Sequence, residues 1–308
     1  MNSILRLVNF ETSDKLSLPG LLYEPEKKTD RVLIYLHGNG SSSVFYGADK
    51  VNLFGEQFTK VGIAFFPFNN RGAHWIKKLD KKVGKKEERV LYGMVYELIK
   101  ECIYDIDSAV FFLKKLGYKT FYLAGISTGA NKIVVYHYYK RKNPIRKYIL
   151  LSGGDDTGLY FDMEFKKNRK RFFEVLNKCK REIDKSNGKK LVPRYILKEP
   201  LISYQSLYDT INPDGDYNIF PFNEYMNQLK LSKKILFKEY KTINKQTLVV
   251  YGEFDEYCYG KVPECIDILK KETTKPEFFT FKIIKDADHG FSGKEEQLMK
   301  IIIDWLSC

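Results

Sequence analysis

Hydrophobic and polar positions along the chain alternate between short apolar runs and longer amphipathic stretches. Two short strands are expected first, Leu5 to Phe10 and Leu16 to Tyr23, with Pro25 ending the second. Val32 to Leu36 (VLIYL) is a continuous apolar run, the pattern of a strand buried on both faces. It leads through the loop His37-Gly38-Asn39-Gly40-Ser41-Ser42 into a helix over residues 48 to 60. A second buried strand, Ile63 to Phe66, breaks at Pro67 and runs into Asn69-Asn70-Arg71-Gly72. Residues 77 to 89 (KKLDKKVGKKEER) are almost all charged and read as a solvated surface loop. Val95, Ile99, Cys102, Ile106, Val110 and Leu113 lie three or four apart, which predicts one long helix stopped by Gly117.

The strand Thr120 to Ala124 comes next, then the pentapeptide Gly125-Ile126-Ser127-Thr128-Gly129 and a helix running toward Lys140. Pro144 closes that helix before the strand Tyr148 to Leu151. From about 155 to 234 the alternation stops, and the chain turns helical, basic and aromatic. Phe165, Phe172, Leu176, Cys179 and Ile183 trace one apolar stripe there. After Gly188 follows an irregular stretch with Pro193, Pro200, Asn212-Pro213-Asp214-Gly215 and Phe220-Pro221-Phe222. The alternation resumes at Thr247 to Tyr251, with a helix near 261 to 272, the strand Phe278 to Ile284, and a final helix ending in Ile301, Ile302, Ile303, Trp305 and Leu306. Strands alternating with helices imply right-handed crossovers and a mainly parallel sheet, hence an α/β protein. Residues 1–308 read as one domain, with 155–234 inserted over the carboxyl edge of the sheet.

Composition narrows this further. With 44% hydrophobic and 15% aromatic residues in 308, the chain can bury a core, which excludes disorder. The formal net charge of +13 could attract nucleic acid or an anionic surface. No nucleic-acid motif accompanies it, so lysines on solvated faces are the expected explanation, with neither nucleic acid nor membrane as partner. Cys102, Cys179, Cys258, Cys265 and Cys308 form no close pair, as expected of reduced thiols in a cytoplasmic protein. The N-terminal residues include Arg6, Glu11, Asp14 and Lys15 without an apolar signal core, and no stretch reaches the ~18 apolar residues of a membrane span.

The chemistry centres on Ser127. A tight strand-to-helix turn presents a nucleophile free of its neighbours, and small residues must flank it two positions away on each side; Gly125 and Gly129 do so. Donors for a developing oxyanion are expected from the Thr128 N–H, helped by the positive end of the following helix, and from the Asn39 N–H. Gly38 and Gly40 flank Asn39, Gly40 allowing close approach of substrate, and His37 is expected to hydrogen-bond within that loop. Four histidines compete for the role of general base. His137 lies ten residues past Ser127 on the same helix, about 15 Å away. His74 is expected at the pocket rim. His289, in Asp286-Ala287-Asp288-His289-Gly290-Phe291 just past the last strand, reaches the carboxyl edge of the sheet, where ligands bind. Asp255, in Tyr251-Gly252-Glu253-Phe254-Asp255-Glu256, would orient His289 and gives the order Ser, Asp, His. Glu253, Glu256, Asp155 and Asp156 are alternative acids, and Asp288 is expected to stabilise its loop. No metal-binding pattern is present, and no cofactor is expected.

HGNG, the GISTG turn, YGEFD and ADHGF, in this order, resemble the α/β-hydrolase superfamily over residues 30–154 and 246–308. The resemblance implies an eight-stranded sheet, a Ser127-Asp255-His289 triad, and hydrolysis of esters of a small or medium-sized molecule through an acyl-enzyme. Leu201 to Leu207, with Asp216 and Phe220-Pro221, is similar to a branch that includes fungal siderophore esterases. Ile126 stands where many superfamily members carry His, Tyr or Gln. A thioesterase, a peptidase, a C–C bond hydrolase and a non-catalytic ligand sensor are the alternatives. Phe161, Tyr204, Tyr208, Phe220 and Phe222 would either line a substrate pocket or pack the inserted segment onto the core.

Overall fold

Eight strands pair into one sheet in the computed structural model, which describes residues 4–40, 42–198 and 201–308. Ser41 and Pro200, both assigned to loops from sequence, lie outside the described residues. In chain order the sheet strands are β1 (Ile4–Glu11), β2 (Ser17–Glu24), β3 (Arg31–Leu36), β4 (Ala64–Phe68), β7 (Thr120–Ile126), β8 (Ile145–Leu151), β9 (Gln246–Gly252) and β10 (Phe279–Ile284). They lie side by side as β1-β2-β4-β3-β7-β8-β9-β10. The β1–β2 and β2–β4 pairs are antiparallel and every other pair is parallel.

Burial follows the twofold alternation of side chains along each strand. On β3, Val32, Ile34 and Leu36 join a core shared with helices α2 (Cys102–Lys115), α3 (Thr128–Tyr139) and α8 (Val262–Glu272). Leu33 and Tyr35 point the other way, into a core shared with α1 (Ala48–Lys60) and α9 (Glu295–Ser307). This covering on both faces is why β3 and β7 read as unbroken apolar runs. Between β8 and β9 lie α4 (Asp156–Leu159), a π-helical turn at Tyr160–Glu164, α5 (Arg169–Asp184), α6 (Tyr204–Ile211) and α7 (Phe222–Asn227). Part of this segment has its own core, in which Phe172 meets Phe161 and Phe165 edge-on.

Three expectations change. Pro67 does not break its strand: β4 continues to Phe68, with Pro67 paired to Tyr35 of β3. The ladder to β2 is closed only at Tyr23↔Phe65 and Gly20↔Phe68, so the missing proline N–H falls in a gap. The charged stretch 77–89 is not a loop but a hairpin, β5 (Lys77–Val83) and β6 (Lys86–Tyr92), turning at Gly84-Lys85. Gly84 has φ +61°, which a two-residue hairpin turn requires. Its strands are solvated on most positions, so charge hid their twofold pattern. The stripe from Val95 to Leu113 is not one helix either, because two 3₁₀ turns at Met94–Tyr96 and Ile99–Glu101 precede α2.

The loop after β4 is fixed by a fully buried cation. Arg71 donates to Asp105 on α2 (Nη2 to Oδ1, 2.7 Å) and to Asp14 (3.0 and 3.1 Å), with Glu101 at 3.5 Å. Those carboxylates hold its guanidinium above its already high pKa. Removing one partner of such a pair strands the other in low dielectric. Arg71→Ala is expected to destabilise the fold by about 3–5 kcal/mol, read from the urea unfolding midpoint; a loss within ~0.5 kcal/mol would show that Asp105 does not depend on it.

Candidate active site

Ser127 joins β7 to α3 and occupies φ 55°, ψ −130°, a strained conformation for a residue with a side chain. Its neighbours explain how the turn is held. A Cβ on Gly125 would lie 2.4 Å from the Gly129 carbonyl group, and one on Gly129 would lie 2.5 Å from the Leu36 carbonyl oxygen. A Cβ on Gly38 would lie 3.0 Å from Ser127 Cβ. Gly125 and Gly129 are thus required by close backbone approach, while Gly38 lies against the Ser127 side chain, and together they bring the loop after β3 against the serine. Gly40 differs: it has open space around it but φ +75°. Thr128 is buried and opens α3, so its N–H belongs to the unsatisfied first turn of the helix.

The loop bearing Asn39 is anchored from below. His37 is buried, its Nε2 accepts from the Asn70 N–H (3.2 Å), and its Nδ1 must therefore carry the proton given to the Gly38 carbonyl (2.7 Å). Burial drives its pKa down to about 3, so the ring is neutral. Asn70 in turn accepts from Lys132 Nζ (3.1 Å), which is paired with buried Glu97 at 2.5 Å. The Asn39 side chain donates to the Tyr217 hydroxyl (3.0 Å) of the inserted segment.

His289 Nδ1 lies 2.9 Å from Asp255 Oδ1, which also accepts from the Tyr257 N–H (3.0 Å). Asp255 is buried and caps the 3₁₀ turn Glu256–Cys258. Glu253 and Glu256 serve the neighbouring backbone instead, accepting from the N–H groups of Asp286 (2.9 Å) and His289 (3.2 Å). Asp288 takes the Ser292 N–H (2.8 Å), a loop-stabilising contact. Tyr257 packs edge-on against the His289 ring at 4.6 Å. Asp155 is spoken for by Gly158 N–H, Asn223 N–H and Tyr259 hydroxyl, and burial raises its pKa to about 7. It organises the start of the inserted segment.

Ser127 and His289 open onto one cavity of about 390 Å³, whose wall also holds Asn39, Thr128 and Asp156. Among the described residues no hydrogen bond joins Ser127 Oγ to His289, a contact that is commonly loose in unliganded enzymes and tightens with substrate. The other two histidines lie elsewhere. His137 is buried between the Tyr148 hydroxyl and the Thr242 carbonyl, and burial lowers its pKa to about 4. His74 stacks edge-on with Tyr46 and is not among the lining residues, so the expected place at the rim is corrected. None of the five candidate pocket aromatics lines the cavity: Phe161, Tyr204 and Tyr208 pack the inserted segment, and Phe220 and Phe222 join the main core.

Several contributors escaped the sequence reading. Asn131, Lys132, Glu97, Asn70 and Tyr217 touch the site only through folding. One signal was available: Asn131 and Lys132 are polar residues in a helix buried from Thr128 to His137, and buried polar groups demand partners. Asn131 uses both ends of its amide, holding Gly154 and the Asp156 carboxylate (Nδ2 to Oδ2, 3.1 Å) against α3.

A mainly parallel sheet with a strained serine turn at the carboxyl end of a central strand and a histidine–carboxylate pair beyond the last strands defines an α/β-hydrolase fold. The chain belongs to the family described as Protein of unknown function (DUF1749), whose model matches residues 92–307. No curated protein matches it in sequence. Among solved structures, the chain is similar to the α/β hydrolase GrgF from Penicillium sp. sh18, with 16% identity, 98% of each chain covered and a TM-score of 0.65. It is also similar to ferulic-acid-bound Est1E from Butyrivibrio proteoclasticus (14% identity, 98% and 100% covered, TM-score 0.61). A third likeness is the Pyrococcus furiosus esterase Pf2001 (17% identity, 99% and 92% covered, TM-score 0.57). At these identities the likeness establishes the shared fold. Among the described residues no helix is long and apolar enough to cross a membrane.

Two outcomes are expected. Gly129→Ala forces a Cβ onto backbone that no rotamer change relieves, and should cost about 1–3 kcal/mol or more in thermal unfolding; a neutral effect would mean that the loop after β3 yields freely. His37 gives the second. Its folded pKa of about 3 lies below the unfolded value, so its contribution to stability is complete above about pH 6.5 and lost as the pH falls toward 3. Nitrogen NMR at about pH 5.5 should therefore find the ring neutral with its proton on Nδ1; a protonated ring would overturn this arrangement.

Proposed function

We propose that the protein is a serine hydrolase that cleaves carboxylic esters of a small or medium-sized molecule through an acyl-enzyme. The observation that carries this reading is the His289–Asp255 hydrogen bond in the wall of the same cavity onto which the strained Ser127 opens. Ser127 Oγ attacks the ester carbonyl while His289 Nε2 takes its proton. Asp255, held by the Tyr257 N–H as well, fixes the imidazole with Nδ1–H toward it and stabilises the imidazolium that forms. The N–H groups of Thr128 and Asn39 receive the oxyanion, the first strengthened by the amino end of α3. His289 then returns the proton to the leaving alcohol, and water, activated by the same ring, releases the acid. Residues 155–234 act as a cap within the single domain 1–308, with Leu159 and Asp156 on the cavity wall and Tyr217 reaching Asn39.

The protein should be labelled by a fluorophosphonate probe, and Ser127→Ala should abolish the labelling. On p-nitrophenyl esters of graded chain length, Asp255→Asn should lower kcat by roughly 10³–10⁴-fold with the fold intact by circular dichroism. Wild-type protein that neither labels nor turns over any ester would overturn the proposal.

A further inference from the structure

The cavity next to Ser127 contains a charge that the triad chemistry does not use. Asp156 follows β8, is half-buried, and lines the cavity together with Ser127 and His289. It is not free to swing, because Asn131 Nδ2 on the helix that begins at Thr128 donates to its Oδ2 at 3.1 Å. No lysine or arginine makes a direct ion pair with it among the described residues, although the chain carries 52 of them; buried Lys132 acts on it only at longer range and is itself paired with Glu97. None of those cations lines this cavity. A carboxylate taken partly out of water without a counter-ion is costly, and proteins ordinarily pair it. Asp155, one residue earlier, shows the ordinary solution with its three protein donors.

Apart from His289 the rest of the wall is neutral: Gly38, Gly40, Ile126, Gly154 and Leu159 line it, and no lysine or arginine does. The cavity thus presents a fixed carboxylate beside the nucleophile. An ammonium group fits this carboxylate, because it brings a full positive charge and three donors and accepts nothing. A neutral hydroxyl would satisfy one oxygen but leave the carboxylate charge unanswered, and an anionic group would be repelled by it.

We propose that Asp156 forms a subsite for a cationic nitrogen, so that the ester this site cleaves carries an ammonium group. This rests on the ester-hydrolase reading above and adds a substrate class to it. Burial pushes the Asp156 pKa up to about 6, while the positive form of His289 and the Lys132 ammonium oppose that rise, and a bound cation would oppose it further. In the same cavity Asp156 also lies close enough to His289 for their charges to interact, so the test must separate substrate recognition from an effect on the imidazole.

The p-nitrophenyl esters of β-alanine and 6-aminohexanoic acid are compared with butanoate and heptanoate, which place a methyl where each amino ester has its ammonium. Wild type should favour one of the amino esters in kcat/KM by about tenfold or more, the size of one charge-assisted contact. Asp156→Asn should collapse that ratio, whatever it does to the individual rates. The subsite proposal is overturned if wild type prefers the methyl ester at both lengths, or if Asp156→Asn slows both members of a pair alike and leaves the ratio intact, which is the signature of an effect through His289. Saturation-transfer NMR with butylammonium covers the remaining case. Should no ester be hydrolysed, the ester-hydrolase reading fails, yet butylammonium binding lost in Asp156→Asn would still support the subsite. Absence of butylammonium binding to wild type in that case would end it.

Discussion

The contact on which the site depends is the approach of Gly129, at the start of α3, to the carbonyl oxygens of Leu36 and His37 at the end of β3. No side chain fits between them. Because the gap is set by backbone atoms, it fixes at once the direction in which α3 leaves the sheet, the strained dihedrals of Ser127, and the position of the loop that carries Asn39. Gly125 meets the same backbone constraint across the turn, and Gly38 packs against the serine side chain itself. The strain at one residue is held by surrounding regular structure, as is usual where a backbone conformation is stored for use.

What β-strands fix through their ladders, the loops at their ends must fix by polar contact. Behind Asn39 the chain runs from His37 to Asn70 to Lys132 and Glu97, nearly all of it buried. Next to it Arg71 binds the same loop to Asp14 and Asp105. A buried ion pair adds little stability relative to an apolar core, but a broken one is costly, so such a network enforces one arrangement. These paired charges contrast with the surface, where most of the excess lysine is solvated, and with Asp156, which stands in the cavity wall without a direct ion pair among the described residues.

The sheet with its two faces was readable because it obeys local rules. The apolar runs at Val32 to Leu36, Thr120 to Ala124 and Thr247 to Tyr251 are strands covered on both sides, and the helix at 48–60 falls where the periodicity puts it. The hairpin at Lys77–Tyr92 was missed because its strands bury almost nothing, which removes the pattern that reveals strands. Pro67 was misread as a breaker because its compatibility with a central strand depends on where the β2 ladder is open, a fact about the partner strand. Chain order alone leaves Asp255, Glu253 and Glu256 equally near His289; the tertiary structure places the Asp255 carboxylate on the His289 ring and those of Glu253 and Glu256 on backbone N–H groups.

By itself, then, the sequence determined the apolar strands of the central sheet and the glycine-flanked turn that carries Ser127, because these follow from nearest-neighbour sterics and the periods of helix and strand. Tertiary structure decided what depends on distant residues meeting: that Lys132 supports the loop after β3 through Asn70 and His37, that Asp155 turns away into the inserted segment, and that Asp156 faces the cavity. Two adjacent aspartates are equivalent in sequence. Their environments differ because one meets three donors from the inserted segment and the turn after β9, and the other meets a single amide donor from Asn131 and the cavity beside Ser127.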